Sequence, residues 1–242
     1  MLRVCTFGGL TLQEDGNAIT GAATHRRQLA LLALLAVAGD AGMSREKILA
    51  YLWPESDTDS ARHALNQLLY MQRRRTNTSS LFLGRKTLRL NPEMLGSDVR
   101  VFESAMAGGE PGKAVDAYRG AFLDGFFLDN AEAFEHWVAE RREQYASCYL
   151  RALQDLAAQA TDAGDLDAAA EWLRQATATD PLNSRLVGAH VEALLKLENR
   201  AGALLALQTH RDRLWSELKL DPEPSLRALE ERLRGHRFPR MA

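Results

Sequence analysis

Apolar and polar positions divide this chain into a mixed front part and a long helical remainder. The first 20 residues read as short strands. Leu2-Arg3-Val4-Cys5-Thr6 and Leu10-Thr11-Leu12 carry strand-type side chains, and Asp15-Gly16 marks a turn before Ala18-Ile19-Thr20. Thr24 is placed to cap a helix running to about Ala38, apolar nearly all round and so expected to be buried, and Gly39 stops it. Ser44 caps a second helix, Arg45–Trp53, in which Ile48, Leu49, Leu52 and Trp53 form an apolar stripe, and Pro54 forbids its continuation. A short acidic loop, Pro54-Glu55-Ser56-Asp57, leads into a third helix, for which Asp57, Thr58 and Asp59 are all candidate caps. After Arg75 the polar run Thr76–Ser80 reads as a loop. Leu81-Phe82-Leu83 and Thr87-Leu88-Arg89-Leu90 then flank Gly84-Arg85-Lys86, the pattern of a β-hairpin with a basic tip.

The third helix, Asp59–Arg75, says most about function. On a 3.6-residue period it splits into two arcs. Ala61, Ala64, Leu65, Leu68, Leu69 and Met71 fall on one side; Arg62, His63, Asn66, Gln67, Tyr70, Arg73 and Arg74 fall on the other, with no acid among them. An ordinary solvated face interleaves Glu with Lys, because opposite charges at i,i+4 support each other. An amide-rich basic face suits nucleic acid instead: Arg for guanine or phosphate, Asn and Gln for adenine edges, Tyr for phosphate. Three helices followed by a basic-tipped hairpin, with a small sheet in front, predict a winged helix whose third helix enters the major groove of double-stranded DNA.

From Asp98 onward strand signals disappear and alanine-rich helical periodicity takes over. Gly164–Pro181 (GDLDAAAEWLRQATATDP) carries Gly, small residues at Ala169 and Ala176, then Pro. A 34-residue tetratricopeptide period carries Ala169 onto Ala203, and Asp221-Pro222 closes that unit as Asp180-Pro181 closes the previous one. The second closure arrives seven residues late, so this unit is expected to contain an extended helix. Gly109–Ala114 starts a similar pattern earlier. Phe134, Trp137, Val138, Tyr145, Tyr149, Leu153, Leu156 and Ala160 recur at helical spacing, predicting one long helix or two abutting ones over Glu132–Thr161.

Charge sharpens this division. The whole chain has a net charge of −2, yet residues 1–97 hold 12 Lys/Arg against 8 Asp/Glu and residues 98–242 hold 18 against 24. A half at +4 joined to one at −6 suggests a polyanion-binding module attached to an acidic one. The expected domains are therefore 1–97, a winged-helix DNA-binding domain, and 98–242, a tetratricopeptide-like helical domain. The fold class is mixed and mainly α.

Candidate chemistry adds little. Ala107–Ala114 imitates a phosphate-binding loop, but Ala107 stands where its first Gly belongs and Ala114 where Ser or Thr would ligate magnesium. His136-Trp-Val-Ala-Glu140 lacks the second His of a zinc motif. Trp53, Trp137, Trp172 and Trp215 sit among Leu and Ala, so core packing is expected for them. Cys5 and Cys148 match no metal or redox spacing, and the longest apolar run, Leu29–Ala38, is too short to span a bilayer. No enzyme, metal or cofactor is expected, and the protein is expected to be cytoplasmic.

Taken in order, several segments resemble one family. In the front half these are LRVCTFGGLTL (2–12), HRRQLALLALL (25–35), SREKILAYLW (44–53) and SARHALNQLLYMQRRR (60–75). They are followed by SDVRVFESA (97–105), AYRGAFLDGF (117–126), AFEHWVAERREQY (133–145) and LWSELKLDPEPSLRALEERL (214–233). Together they resemble the antibiotic-regulatory class of bacterial transcriptional activators (SARP/BTAD), which joins an OmpR-type winged helix to a bacterial transcriptional activator domain. The resemblance covers nearly the whole chain. It implies activation by recruiting RNA polymerase to promoters, often from tandem direct repeats, with Pro54, Glu55, Ser56 and Asp57 as the polymerase-contacting loop and self-association on tandem sites. Leu69-Tyr70-Met71 departs from the β-branched and small polar residues of many relatives, which implies a different target sequence.

In the resulting assignment Arg62, His63, Asn66, Gln67 and Tyr70 face bases or nearby phosphates. Arg73, Arg74, Arg85 and Lys86 mainly contact backbone, and Arg26 and Arg27 are lesser phosphate candidates. Two rival readings come from other classes: a tetratricopeptide-type protein-interaction scaffold, and the front part of a larger multidomain signalling regulator. The tail Gly235–Ala242 has no obvious linker or ATPase segment, so a complete short chain is the expectation.

Overall fold

A computed structural model of the chain describes residues 2–19, 26–75 and 81–235. The Thr24 cap and the Thr76–Ser80 loop lie outside the described residues. Two compact units are present, Met1–Cys148 and Tyr149–Ala242.

In the first unit β1 (Leu2–Cys5) pairs antiparallel with β2 (Thr11–Glu14), which pairs with β3 (Asn17–Ala18). Alternation decides the faces: Leu2, Val4 and Leu12 are buried, while Arg3 and Thr11 are exposed. Next come α1 (Arg26–Ala38), β4 (Met43–Ser44), α2 (Arg45–Leu52), α3 (Thr58–Arg75), β5 (Phe82–Leu83) and β6 (Thr87–Leu90). Residues Ala30–Ala36 of α1 are all buried, as an apolar-all-round helix requires. The Ser44 hydroxyl accepts the Lys47 N–H at 3.2 Å and starts α2. Trp53, expected in the core, is only half-buried: it sits at the C-cap of α2, one residue beyond the last buried position, Leu52.

The second sheet has order β4-β6-β5, and β5–β6 is the expected hairpin. The first unit thus contains a winged helix. Its front sheet is completed by a strand the local pattern did not mark, β7 (Leu95–Ser97), which runs parallel to β1 with Val4 opposite Ser97, in the order β3-β2-β1-β7.

Directly after β7, α4 (Asp98–Ala107) begins, and its first residue ties it to the end of β1. The Asp98 carboxylate is buried and accepts the Thr6 N–H at 2.7 Å, the Thr6 hydroxyl at 2.7 Å and the Phe7 N–H at 2.9 Å. Next to this link Phe7 sits in an aromatic cluster, with ring centroids of Tyr118, Phe102 and Tyr145 at 4.8, 5.3 and 5.4 Å. Tyr145 comes from α6 (Glu132–Asp162), a single continuous helix of 31 residues, and donates to Glu103 of α4 at 2.6 Å. Burial, together with the neighbouring Glu103, raises the Tyr145 phenol, and burial pushes the Glu103 carboxyl up as well. Gly108–Glu110 form the turn into α5 (Pro111–Ala117), which has Pro in its first turn and takes Gly112–Ala114 into the helix rather than into a phosphate cradle.

The second unit holds the remainder of α6, then α7 (Leu166–Thr179), α8 (Ser184–Lys196), α9 (Arg200–Leu218) and α10 (Pro224–Gly235). Asp165, Asn183 and Asn199 cap α7, α8 and α9 with their side-chain oxygens. The repeat alanines Ala169, Ala176 and Ala203 are fully buried, which is what small residues between closely paired helices are for. The expected extension falls on α9, 19 residues against 14 for α7. Val187, Val191, Ala203, Leu207 and Leu226 form the core.

Of the tryptophans expected to pack, Trp137 is buried and Trp172 half-buried, but Trp215 is 57% exposed. It follows Leu214, the last buried position of the α9 stripe, by one residue, a rotation of about 100° around the axis. Among the described residues no helix is long and apolar enough to cross a membrane.

Candidate nucleic-acid interface

Asp57 is the cap that starts α3. Its Oδ1 accepts the N–H groups of Asp59 and Ser60 at 3.1 and 2.9 Å, and these bonds hold its carboxyl below the usual range. Ala61, Leu65 and Leu69 are buried at i, i+4 and i+8, and Ala64 and Leu68 are half-buried beside them. Met71, expected on this arc, is 42% exposed. It lies two residues past Leu69, about 200° round the helix, and buried Gln72 continues the stripe instead.

The opposite face is open. Arg62, His63, Asn66, Gln67, Tyr70 and Arg74 are all exposed, whereas the side chain of Arg73 lies outside the described residues. Asp59 reaches this face from the first turn, with its Oδ1 3.4 Å from Arg62 Nη1, but both groups are solvated and the pair is weak. Arg74 lies over the Tyr70 ring at 6.0 Å from its centroid.

Beside this face stands the hairpin. Gly84 takes φ +87°, and a Cβ there would sit 2.0 Å from the Thr87 carbonyl oxygen, so the turn admits only glycine. Arg85 and Lys86 are exposed at its tip.

One residue joins the two parts. Arg45, at the start of α2, donates its backbone N–H to the Lys86 carbonyl at 3.1 Å and its Nε–H to the Arg85 carbonyl at 2.7 Å. Its Nη1 donates to Asn66 Oδ1 at 2.9 Å. A guanidinium has no acceptor, so the Asn66 amide must turn its oxygen toward Arg45, and its orientation is thereby fixed. Sequence reasoning passed over Arg45. It reaches the hairpin because β4 pairs with β6, Met43 opposite Leu88 and Ser44 opposite Thr87, and a two-residue strand leaves no local pattern.

The lesser candidates are already engaged. Arg26 donates to the Phe127 carbonyl at 2.7 Å and lies 5.9 Å from the centre of the Phe126 ring, and Arg27 Nε donates to the Leu52 carbonyl at 3.0 Å. Pro54, Glu55, Ser56 and Asp57 are all exposed in the loop before α3. Among the described residues no group of three or more His, Cys, Asp or Glu is placed to hold a metal ion. Burial pushes the Cys5 thiol up, away from thiolate reactivity.

Comparison with known proteins agrees with this architecture. The family model described as bacterial transcriptional activator domain matches residues 97–234. No curated protein matches significantly. Among solved structures, Mycobacterium tuberculosis EmbR in complex with a low-affinity phosphopeptide superposes with a TM-score of 0.64 at 21% identity. That match covers 98% of this chain but only 66% of the EmbR chain, so the present chain spans less than two thirds of that relative. A similarity this distant speaks for the fold, whereas the family match extends over more than half of the sequence. The chain belongs to the bacterial transcriptional activator domain family and is a transcriptional regulator.

Proposed function

We propose that this regulator binds duplex DNA sequence-specifically through α3 and the β5–β6 hairpin, and that it activates transcription by recruiting RNA polymerase to promoters carrying repeated sites. The observation that carries the reading is the exposed face of α3 tied through Arg45 to a basic hairpin tip. Arg62, His63, Asn66, Gln67 and Tyr70 meet base edges or adjacent phosphates in the major groove. Arg73, Arg74, Arg85 and Lys86 hold the backbone, with Arg26 and Arg27 in lesser roles. Because Arg45 orients the Asn66 amide before DNA arrives, less side-chain freedom is lost on binding. The exposed loop Pro54–Asp57 is the proposed polymerase contact, and copies of the chain self-associate on tandem sites.

Quantitative binding to a selected duplex tests this. Affinity should fall steeply with salt, because bound phosphates release counterions. Asn66→Ala or Arg62→Ala should cost about 1–3 kcal/mol and relax preference at one base pair, whereas Arg85→Ala or Lys86→Ala should weaken all sequences alike and flatten the salt slope. Equal affinity for every sequence at all salt concentrations would overturn specific readout, and identical behaviour of hairpin and α3 variants would overturn the division of roles.

A further inference from the structure

The second unit contains a hollow of about 420 Å³, within the size range of small-molecule sites. Its floor is α8, from which Val187, His190 and Leu194 face inward at i, i+3 and i+7. Arg174 and Thr177 of α7 line one side, and Leu205, Ala206, Thr209 and Arg213 of α9 line the other.

Two histidines open on this space and differ in one respect. His210 has both ring nitrogens engaged, Nδ1 at 3.0 Å from the Pro181 carbonyl and Nε2 at 3.1 Å from the Ser184 hydroxyl. A carbonyl only accepts, so Nδ1 donates to Pro181, and with Nε2 on the Ser184 hydroxyl His210 is a satisfied structural residue. His190 is 9% exposed and has no hydrogen-bond partner among the described residues. Its burial, with Arg174 close by, lowers its pKa and keeps the ring neutral, so it offers one donor and one acceptor. Its ring nitrogens are not among the fully enclosed polar atoms left without a partner, so they open on the hollow, where a bound group can meet them.

The remaining lining supplies the other recognition elements. Arg174 is committed to Glu171 through two 2.7 Å hydrogen bonds, whereas the Arg213 guanidinium has no partner among the described residues. Leu205 is 66% exposed, an apolar side chain left bare at the edge of the hollow. The contact of Ser184 with His210 aligns the start of α8 with that part of α9. His190 lies six residues further along α8, about 9 Å at 1.5 Å per residue, and Arg213 lies about 4.5 Å the other way along α9. The backbone positions of Arg213 and His190 are therefore offset by roughly 13 Å along the helix axes, with an apolar stretch between them.

We propose that this hollow binds a small amphipathic carboxylate: its carboxylate pairs with Arg213, its apolar body lies over Val187, Leu194 and Leu205, and a hydroxyl or similar group at its far end bonds His190. An aliphatic chain of about ten carbons has the required span. This assignment is independent of the DNA-binding reading.

Calorimetric titration of the full chain with 10-hydroxydecanoate, decanoate and decylamine tests it. The hydroxy acid should bind saturably at one per chain, decanoate about tenfold more weakly because it leaves His190 unpaired, and decylamine not at all. Arg213→Gln, at an exposed position, should weaken both acids about tenfold. His190→Phe should abolish the advantage of the hydroxy acid. Leu205→Glu, also exposed, should weaken both acids without touching the core. The imidazole nitrogen resonances of His190 should move on addition of the hydroxy acid while those of His210 stay in place. Absence of saturable binding, equal binding of decylamine, indifference to Arg213→Gln, or a hydroxyl advantage that survives His190→Phe would each overturn the proposal.

Discussion

Asp98→Ala is expected to be among the most damaging single substitutions in the first unit. The carboxylate is 6% exposed. It accepts the Thr6 N–H at 2.9 and 2.7 Å on its two oxygens, the Thr6 hydroxyl at 2.7 Å, the Phe7 N–H at 2.9 Å and the Val99 N–H at 2.8 Å. Alanine removes every one of these acceptors. The Thr6 hydroxyl can rotate toward another partner, but the N–H groups of Thr6 and Phe7 are fixed by the backbone. A buried donor left unpaired costs about 1–3 kcal/mol, so those two donors alone give a loss of roughly 2–6 kcal/mol. That is a large share of the ~5–15 kcal/mol available to a domain. Asp98→Asn keeps one acceptor oxygen but turns an NH₂ group toward donors, so an intermediate loss of about 2–3 kcal/mol is expected. Urea unfolding followed by tryptophan fluorescence and far-ultraviolet circular dichroism measures both variants. A loss below about 1 kcal/mol for Asp98→Ala, with an unchanged denaturant slope, would refute the reasoning.

Arg45→Ala should lower DNA affinity and also blunt discrimination at the base pair met by Asn66, because it frees the hairpin and the amide together. Arg45→Lys should restore only part of the effect, since an ammonium cannot reproduce the forked contact to Arg85 and Asn66; competition binding against a single-base-substituted duplex reads both, and an unaltered specificity ratio in Arg45→Ala would refute the coupling. In the second unit, the bonds from Arg174 and Gln175 hold the Glu171 carboxyl down to about 2, against an ordinary 4.5. A depressed carboxyl contributes stability that is present above its ordinary value and lost as pH falls toward 2, and because both partners are about half exposed the contribution is small. Carboxyl-carbon NMR should find Glu171 titrating near 2 and returning toward the ordinary value in Arg174→Ala; an ordinary midpoint in the parent protein would refute the pairing.

Helices were legible wherever one face had to be buried over several turns. The α3 arcs, the seamless burial of α1 and the lengthened α9 all follow from periodicity, because many residues vote for the same face. What escaped was set by few residues or by distant partners. The strands β4 and β7 are two and three residues long, and each exists only because a neighbour far along the chain supplies its hydrogen bonds. Arg45 escaped for the same reason, since its role depends on β4 meeting β6. Met71, Trp53 and Trp215 are less buried than their apolar character predicts, because angle or helix end outweighs composition: each lies just past a buried position. The site residues on α3 were legible as a face, whereas the hydrogen bond that orders Asn66 was not.

The parallel pairing of β1 with β7 has a consequence for synthesis. The strand β1 leaves the ribosome well before its parallel neighbour β7, and the Asp98 carboxylate that anchors its end comes 92 residues after Thr6. At roughly 5–20 residues per second, β1 waits on the order of 5–20 s with only β2 and the two-residue β3 to hold it. So short a meander, with nothing yet packed on its apolar face, is marginal in water, so during that interval Leu2, Val4 and Phe7 remain open to wrong partners. The α3 helix and the β5–β6 hairpin, which lie between, emerge before the sheet in front of them can close. Folding of this regulator is thus timed by the arrival of residues 95–98, and slowing translation just before that point would lengthen its exposure to chaperones and proteases.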